Sequence, residues 1–133
     1  MITSQTDIRV RYAETDAMGF VYHGNYLPWF ELSRVEMLDS LGYPYKQLES
    51  EGYLLPVLDV HIRYRRPARF DDRVTVKVIV KEKPIVKIHC EYEITRGDEL
   101  LVTGATKHAF INPQGEPVRP PKALMTLMGK HFD

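Results

Sequence analysis

Hydrophobic and polar residues alternate in five segments of the chain, with the two-residue period that is typical of β-strands with one buried face. The first segment covers residues 6–12, where Ile8, Val10 and Tyr12 share one side. Short stretches rich in glycine, proline, asparagine or aspartate bound most of the later segments, so we expect these to pair as hairpins or a meander. The later segments cover residues 54–64, 74–81, 85–96 and 100–111.

One longer segment, residues 26–41, has apolar residues on almost every side of a helix and ends before Gly42, so we expect this helix to be largely enclosed. Two shorter helices are predicted at residues 44–51 and 122–128. The order of one strand, a long helix and four more strands indicates an α+β fold, with a five-stranded antiparallel sheet curled around the helix. The apolar residues of the long helix are Leu27, Trp29, Phe30, Leu32, Val35, Met37, Leu38 and Leu41.

Composition limits the class of protein. The 133 residues suit one domain over residues 1–133, with a core that needs no disulfide. Equal numbers of basic and acidic residues, 18 of each, argue against a nucleic-acid-binding protein or general adhesion to anionic membranes, so any anion site must be a local cluster. The chain has neither a signal-peptide pattern nor an apolar run near the ~20 residues that span a bilayer. Cys90 is the only cysteine, and we interpret it as a buried thiol in the reducing cytoplasm.

The predicted sheet has two edge strands, whose outward backbone groups lack partners. Proteins cover such edges or pair them with another chain, and identical chains most often pair with two-fold symmetry. We therefore expect the chain to form at least a homodimer.

An acid lies in the loop between the first predicted strand and the long helix. Asp16 follows the strand, and Gly24 and Asn25 immediately precede the helix. Free N–H groups at a helix start can bind developing negative charge, so this loop suits chemistry that needs a base beside N–H donors. Taken alone, Asp16 would be interpreted as a solvated loop acid or a helix cap.

Two blocks of sequence carry a family resemblance. The first block reads YAETD at residues 12–16 and GFVYHGNY at residues 19–26, and the second reads YRRPARFDD at residues 64–72. Together they resemble the 4-hydroxybenzoyl-CoA thioesterase family of hot-dog proteins, and within it the YbgC/FadM-like acyl-CoA thioesterases. The first block is the more specific one, because its acid, glycine, histidine and asparagine match together.

The resemblance implies a hot-dog fold, in which a sheet wraps a long central helix, two sheets join edge to edge, and dimers often pair into tetramers. It implies that Asp16 acts as general base or nucleophile on a thioester. The backbone N–H of His23, beside Gly24, would polarise the thioester carbonyl, while Tyr12 and the His23 side chain match auxiliary site positions. No cofactor is implied, because coenzyme A is part of the substrate.

Several residues in these blocks have simpler interpretations. Asn25 suits the helix N-cap, and Tyr12 is as consistent with a core position as with the site. Glu31, on the long helix, is a rival base, because some other hot-dog thioesterases place their acid there. Glu14 is a weaker rival that we expect to be exposed. The five histidines show no metal-ligand spacing, so no metal site is predicted.

Basic residues follow the second predicted strand and flank the next turn. Arg65, Arg66, Arg69 and Lys87 are candidates to bind the phosphates of coenzyme A or to meet an acidic acyl-carrier protein. The leading prediction is hydrolysis of an acyl-CoA thioester to free acid and coenzyme A. The alternatives are a hot-dog enoyl-CoA hydratase or dehydratase, and a noncatalytic acyl-ligand binding protein.

Overall fold

A computed structural model, which describes all 133 residues, contains one antiparallel sheet of five strands. The strands lie in the order β1-β3-β4-β5-β2, so β1 and β2 form the two edges. This is the α+β architecture that the sequence predicts. The strands are β1 (Ile2–Arg9), β2 (Val57–Tyr64), β3 (Arg73–Val80), β4 (Lys87–Arg96) and β5 (Glu99–Ala109).

Three α-helices complete the fold. The long helix α1 (Tyr26–Ser40) lies against one face of the sheet, α2 (Tyr45–Ser50) follows it, and α3 (Lys122–Gly129) lies near the C-terminus. Single turns of 3₁₀ helix occur at Tyr12–Glu14 and His23–Asn25, between β1 and α1. None of the helices has the length and apolar character that crossing a bilayer requires.

The helix α1 is fixed to the sheet through Phe30, which is fully buried. Its ring stacks on the ring of Tyr92 in β4, with centroids 4.1 Å apart and planes at 12°. Gly104 in β5 makes room for this ring, because a Cβ there would lie 2.7 Å from two Phe30 ring carbons. Two aromatic rings and a glycine therefore set the separation between helix and sheet.

The prediction that α1 is largely enclosed is wrong for the isolated chain. Trp29, Phe30 and Met37 are buried, whereas Leu27 and Leu32 are each 41% exposed. A single sheet covers only one side of a helix, so the apolar residues on the other side stay open unless a second surface covers them.

The predicted first strand is shifted along the chain. It ends at Arg9 because the backbone of Val10 turns to the loop before β3, where it donates to the Asp72 carbonyl at 2.9 Å and accepts from the Asp71 N–H at 3.0 Å. Tyr12 therefore lies outside the sheet, 76% exposed, and the prediction that it lies on the apolar face of a strand is wrong.

The edge strand β2 is unusually open. Nearly all of its residues are exposed, and they include the apolar side chains of Val57, Leu58 and Val60. Its other edge is paired with β5 throughout, apart from an irregularity between Val57 and Asp59. An exposed apolar edge is a surface that proteins usually cover or pair.

The two ends of the sheet carry different parts of the chain. Arg9 pairs with Arg73, and Ile2 pairs with Val80 at the opposite end. The segments that follow β1 and β2, residues 10–25 and 65–72, thus meet at one end, whereas the turn between β3 and β4 lies at the other. The candidate site lies at the first of these ends.

Candidate active site

A tight turn presents Asp16. Thr15 and Val21 form an isolated antiparallel bridge, and the Asp16 N–H donates to the Phe20 carbonyl at 2.8 Å. Gly19 closes the turn at a φ of +80°, a left-handed conformation that glycine adopts without steric cost. The acid therefore lies at the start of a small hairpin whose shape is set by the backbone.

The two oxygens of the Asp16 carboxylate differ in their surroundings. Oδ1 accepts the backbone N–H groups of Met18 at 2.9 Å and Phe20 at 3.3 Å. No group of the protein donates to Oδ2. One oxygen thus orients the carboxylate, and the other is available to a ligand.

Glu14 is buried, with 9% exposure, so the expectation that it faces water is wrong. Its Oε1 accepts the Arg11 backbone N–H at 2.8 Å, and its Oε2 accepts the indole N–H of Trp29 at 2.8 Å. Trp29 is buried on α1 and needs an acceptor. The carboxylate therefore joins the loop to the helix.

The main chain of Glu14 adds a second set of contacts. Its carbonyl accepts the Tyr22 N–H at 2.9 Å and the side-chain amide of Asn25 at 2.8 Å. The Asn25 side chain makes no capping hydrogen bond to α1, so the prediction that it is the N-cap is wrong in this respect. Instead, it ties the turn before the helix to the Asp16 loop.

That turn leaves two backbone donors unused. The N–H groups of His23 and Gly24 have no acceptor in the protein, as expected for the first residues of a helical segment. The carbonyl of His23 accepts the Tyr64 hydroxyl at 2.8 Å, which connects the turn to the end of β2. The Tyr22 ring packs over Gly24, where an added Cβ would lie 2.9 Å from its Cε2.

A cavity of about 270 Å³ lies between these elements. It brings together four predicted site residues, Asp16, His23, Arg65 and Arg66. Gly24 adjoins it through His23. Apolar and aromatic residues form much of the remaining wall, which consists of Met18, Phe20, Val21, Tyr26, Tyr64 and Pro67.

Besides Gly24, three predicted site residues do not line this cavity. The exposed Tyr12 ring packs edge-on against Phe70, with centroids 5.4 Å apart. The Arg69 guanidinium lies 4.7 Å from the centroid of the Phe20 ring, but Arg69 itself does not line the cavity. Lys87 pairs with Ala109, at the opposite end of the sheet in the same chain.

Tyr26 and Tyr64 line the cavity, although the sequence did not identify them as site residues. The Tyr26 hydroxyl accepts the Ala68 N–H at 3.3 Å, and burial raises the pKa of both tyrosines. Both hydroxyls therefore stay protonated at neutral pH. Tyr64 opens the second sequence block, which is the one signal that pointed to it.

An ion-pair network shapes the loop that carries the basic residues. Arg66 pairs with Glu99 at 2.8 Å, and Glu99 also pairs with Arg96. Arg96 reaches Asp72 at 2.7 Å. Arg65 has neither an ion pair nor a side-chain hydrogen bond within the chain, so it is the free cation at the cavity.

Glu31, the rival base, is exposed on α1 and lines a separate cavity with Arg34. The two do not form an ion pair, because Arg34 donates to the Tyr92 hydroxyl at 3.0 Å.

Burial raises the pKa of the Cys90 thiol to about 11, and burial also lowers the pKa of the His108 imidazole to about 4. Cys90 is therefore a buried, unreactive thiol.

We expect Glu14→Gln to lower the free energy of unfolding by about 1–3 kcal/mol at neutral pH. The glutamine side chain has only one acceptor oxygen, so its NH2 group would face either the Trp29 indole N–H or the Arg11 backbone N–H, and that buried donor would lose its acceptor. Burial raises the pKa of Glu14, but the hydrogen bonds from Arg11 and Trp29 outweigh it and hold the pKa below its usual value. The contribution of the carboxylate is complete above its unfolded pKa of about 4.3 and is lost as pH falls through its folded pKa.

Urea unfolding of both proteins across a pH series measures this effect. The difference in free energy of unfolding should shrink in acid. A difference that stays constant with pH, or no difference at neutral pH, would contradict the assigned role of Glu14. Glu49→Gln, at an exposed position of α2 without an ion pair, is the matched control and should change little.

The chain is similar in sequence to known proteins. A family model described as the thioesterase-like superfamily matches residues 10–127. “Putative acyl-CoA thioesterase YneP” of Bacillus subtilis is 34% identical over 126 residues, which cover 93% of this chain and 91% of that protein. The acyl-CoA thioesterase YbgC of Haemophilus influenzae is 34% identical over 119 residues, which cover 88% of each chain.

A solved crystal structure has the same fold as this chain. The crystal structure of the DHNA-CoA thioesterase from Staphylococcus aureus superposes with a TM-score of 0.93 at 34% identity, and the match covers 98% of this chain and 91% of that one. Both the hot-dog architecture and the family resemblance are thereby confirmed. The chain belongs to the thioesterase-like superfamily and is a thioester hydrolase of the hot-dog fold.

Proposed function

We propose that the chain hydrolyses an acyl-CoA thioester to a free acid and coenzyme A, with Asp16 as the reacting carboxylate. The observation that carries this proposal is the placement of three unpaired groups beside one cavity. They are the Oδ2 atom of Asp16, which accepts no hydrogen bond from the protein, and the backbone N–H groups of His23 and Gly24. The names of the relatives YneP and YbgC, both of which specify acyl-CoA thioesterases, support the substrate class.

The N–H groups of His23 and Gly24 would bind the thioester carbonyl oxygen. Negative charge develops on this oxygen as the carbonyl carbon becomes tetrahedral, and fixed N–H donors stabilise the charge more than the neutral ground state. The hydrogen bond from Tyr64 to the His23 carbonyl holds this peptide segment in place. Neither a metal nor a redox cofactor is required for this role.

Asp16 can complete the reaction by either of two routes. As a general base, it takes a proton from water while the water oxygen attacks the carbonyl carbon; the C–S bond then breaks, and the thiolate leaves and is protonated. As a nucleophile, it attacks the carbon itself, expels the thiolate and forms an anhydride that water hydrolyses. Both routes use Oδ2, while the two N–H groups on Oδ1 hold the carboxylate in place.

Arg65 is the leading candidate to bind coenzyme A. It lines the cavity and lacks an ion-pair partner, so its guanidinium is available to a phosphate. Arg66 lies beside it but is paired with Glu99. Arg69 and Lys87 remain predicted phosphate ligands that lie outside the cavity of their own chain.

The lone buried thiol of Cys90 supports a reducing, cytoplasmic setting for the enzyme.

A second copy of the chain would pair along β2. This strand is an edge with exposed backbone and the apolar residues Val57, Leu58 and Val60, and Tyr64, which lines the cavity, lies at its end. Self-pairing would bury the apolar edge and place a second subunit beside the site. The further pairing of dimers into a tetramer stays a prediction.

Replacing Asp16 by asparagine should lower kcat for acyl-CoA hydrolysis by roughly 10²–10⁴-fold. The amide oxygen keeps the hydrogen bonds from Met18 and Phe20, so the free energy of unfolding should change little. Thiol release from a series of acyl-CoA substrates measures the rate. Asp39→Asn, at an exposed acid on α1, is the matched control.

Full activity of the folded Asp16→Asn variant would contradict the role of this residue. Loss of enoyl absorbance without thiol release would identify a hydratase instead. Acyl-CoA binding without any turnover by the wild-type chain would identify a binding protein.

Replacing Arg65 by glutamine should raise KM for an acyl-CoA roughly tenfold, which corresponds to about 1.5 kcal/mol for a hydrogen bond to a charged group. The same acyl group on N-acetylcysteamine, which lacks the phosphates, should show an unchanged KM. Lys46→Gln, at an exposed lysine of α2 that does not line the cavity, should leave both values unchanged. An equal effect on both substrates would contradict phosphate binding, and activity on acyl-carrier protein alone would contradict coenzyme A as the carrier.

The wild-type chain should sediment with at least twice the mass of one chain. Leu58→Lys combined with Val60→Lys places two charges on the β2 edge and should shift the equilibrium to the monomer. Sedimentation equilibrium measures this change, and Ile85→Lys, at an exposed apolar residue away from this edge, should leave the mass unchanged. A monomeric wild type, or a dimer indifferent to the double substitution, would contradict the proposed interface.

A further inference from the structure

A second concave surface lies at the other end of the sheet from the candidate active site. It is an open groove of about 930 Å³ between α3 and the turn that joins β3 to β4. The side chain of Lys83, in this turn, lies over α3, because a Cβ added at Gly129 would be 3.4 Å from its Cε. Neither the turn nor α3 contributes a residue to the active-site cavity.

The groove concentrates positive charge. Lys83, Arg119, Lys122 and Lys130 line it, and no carboxylate does. None of these four residues forms an ion pair or a side-chain hydrogen bond within the chain. Since the whole chain has no net charge, this cluster is a local feature, and its chemistry calls for an anionic partner.

Apolar side chains project beside these cations. Ile85 and Val86, at the turn, are 79% and 60% exposed, and Lys83 and Lys87 flank them in the sequence. Pro84, just before them, is buried, so the turn is anchored while its tip is open. Exposed aliphatic residues rimmed by lysines are typical of surfaces that enter the boundary layer of a membrane.

We infer that this groove docks the enzyme on an anionic lipid bilayer, with Ile85 and Val86 entering the headgroup boundary and the surrounding cations meeting lipid phosphates. Protein interfaces are enriched in aromatic residues and depleted in lysine, whereas the groove has no aromatic residue and three of its four cations are lysines. Single-stranded nucleic acid would call for aromatic side chains on which bases stack. The chemistry therefore favours lipid over either macromolecule.

Docking at this end leaves the candidate active site of the same chain uncovered. The Asp16 loop lies beyond Arg9 of β1 and Arg73 of β3, whereas the groove lies beyond Val80 of β3 and Lys87 of β4, at the opposite end of the sheet. The inference is independent of the proposed reaction, because no residue of the groove belongs to the cavity that contains Asp16.

Flotation of the full chain with lipid vesicles tests the inference. Vesicles of phosphatidylcholine with one quarter phosphatidylglycerol should bind at least about tenfold more tightly than phosphatidylcholine alone, given about 1 kcal/mol for each cation near an anionic surface. Binding should weaken as salt is raised. Lys83→Gln and Lys122→Gln should each weaken binding roughly fivefold, and Ile85→Ser with Val86→Ser should weaken it further.

Lys46→Gln removes an exposed cation that lies outside the groove and should leave vesicle binding unchanged. All of these variants should hydrolyse a short-chain acyl-CoA in vesicle-free buffer at the wild-type rate. Equal binding to neutral and anionic vesicles, or groove variants that bind as the wild type does, would overturn the inference. A raised KM for acyl-CoA with unchanged vesicle binding would assign the groove to coenzyme A and overturn it as well.

Discussion

One buried carboxylate determines where the loop of the candidate active site lies. Glu14 accepts the Trp29 indole N–H and the Arg11 backbone N–H through its two oxygens, and its carbonyl accepts donors from Tyr22 and Asn25. A buried carboxylate is stable only when such donors surround it. The same requirement therefore joins the loop, the turn before α1 and the helix itself into one unit.

This unit brings opposite chemical groups to one cavity. Asp16 offers a negatively charged oxygen, and the N–H groups of His23 and Gly24 offer partial positive charge. The packing of the Phe30 ring against Tyr92 and Gly104 sets the height of the helix over the sheet, and this helix carries the turn with the two donors at its start. Catalysis by fixed donors requires this rigidity, because a donor that must reorganise stabilises the transition state less.

The sequence predicts the order of elements and most of the sheet because alternation is a local signal, and it predicts that Asp16 and His23 meet because both lie in one loop. It fails where distant residues decide. Alternation continues through Tyr12, but Val10 pairs with the loop before β3 and turns the chain away. Likewise, no local pattern around Glu14 indicates that Trp29, fifteen positions further on, supplies its partner.

The most direct test of the account is a crystal structure of the Asp16→Asn variant with an intact acyl-CoA bound. The account predicts that the thioester carbonyl oxygen lies about 2.7–3.1 Å from the backbone nitrogen of His23 or Gly24. It also predicts that the substituted side chain faces the carbonyl carbon or a water molecule beside it. A carbonyl bound at another surface, with no contact to either N–H group, would contradict the account.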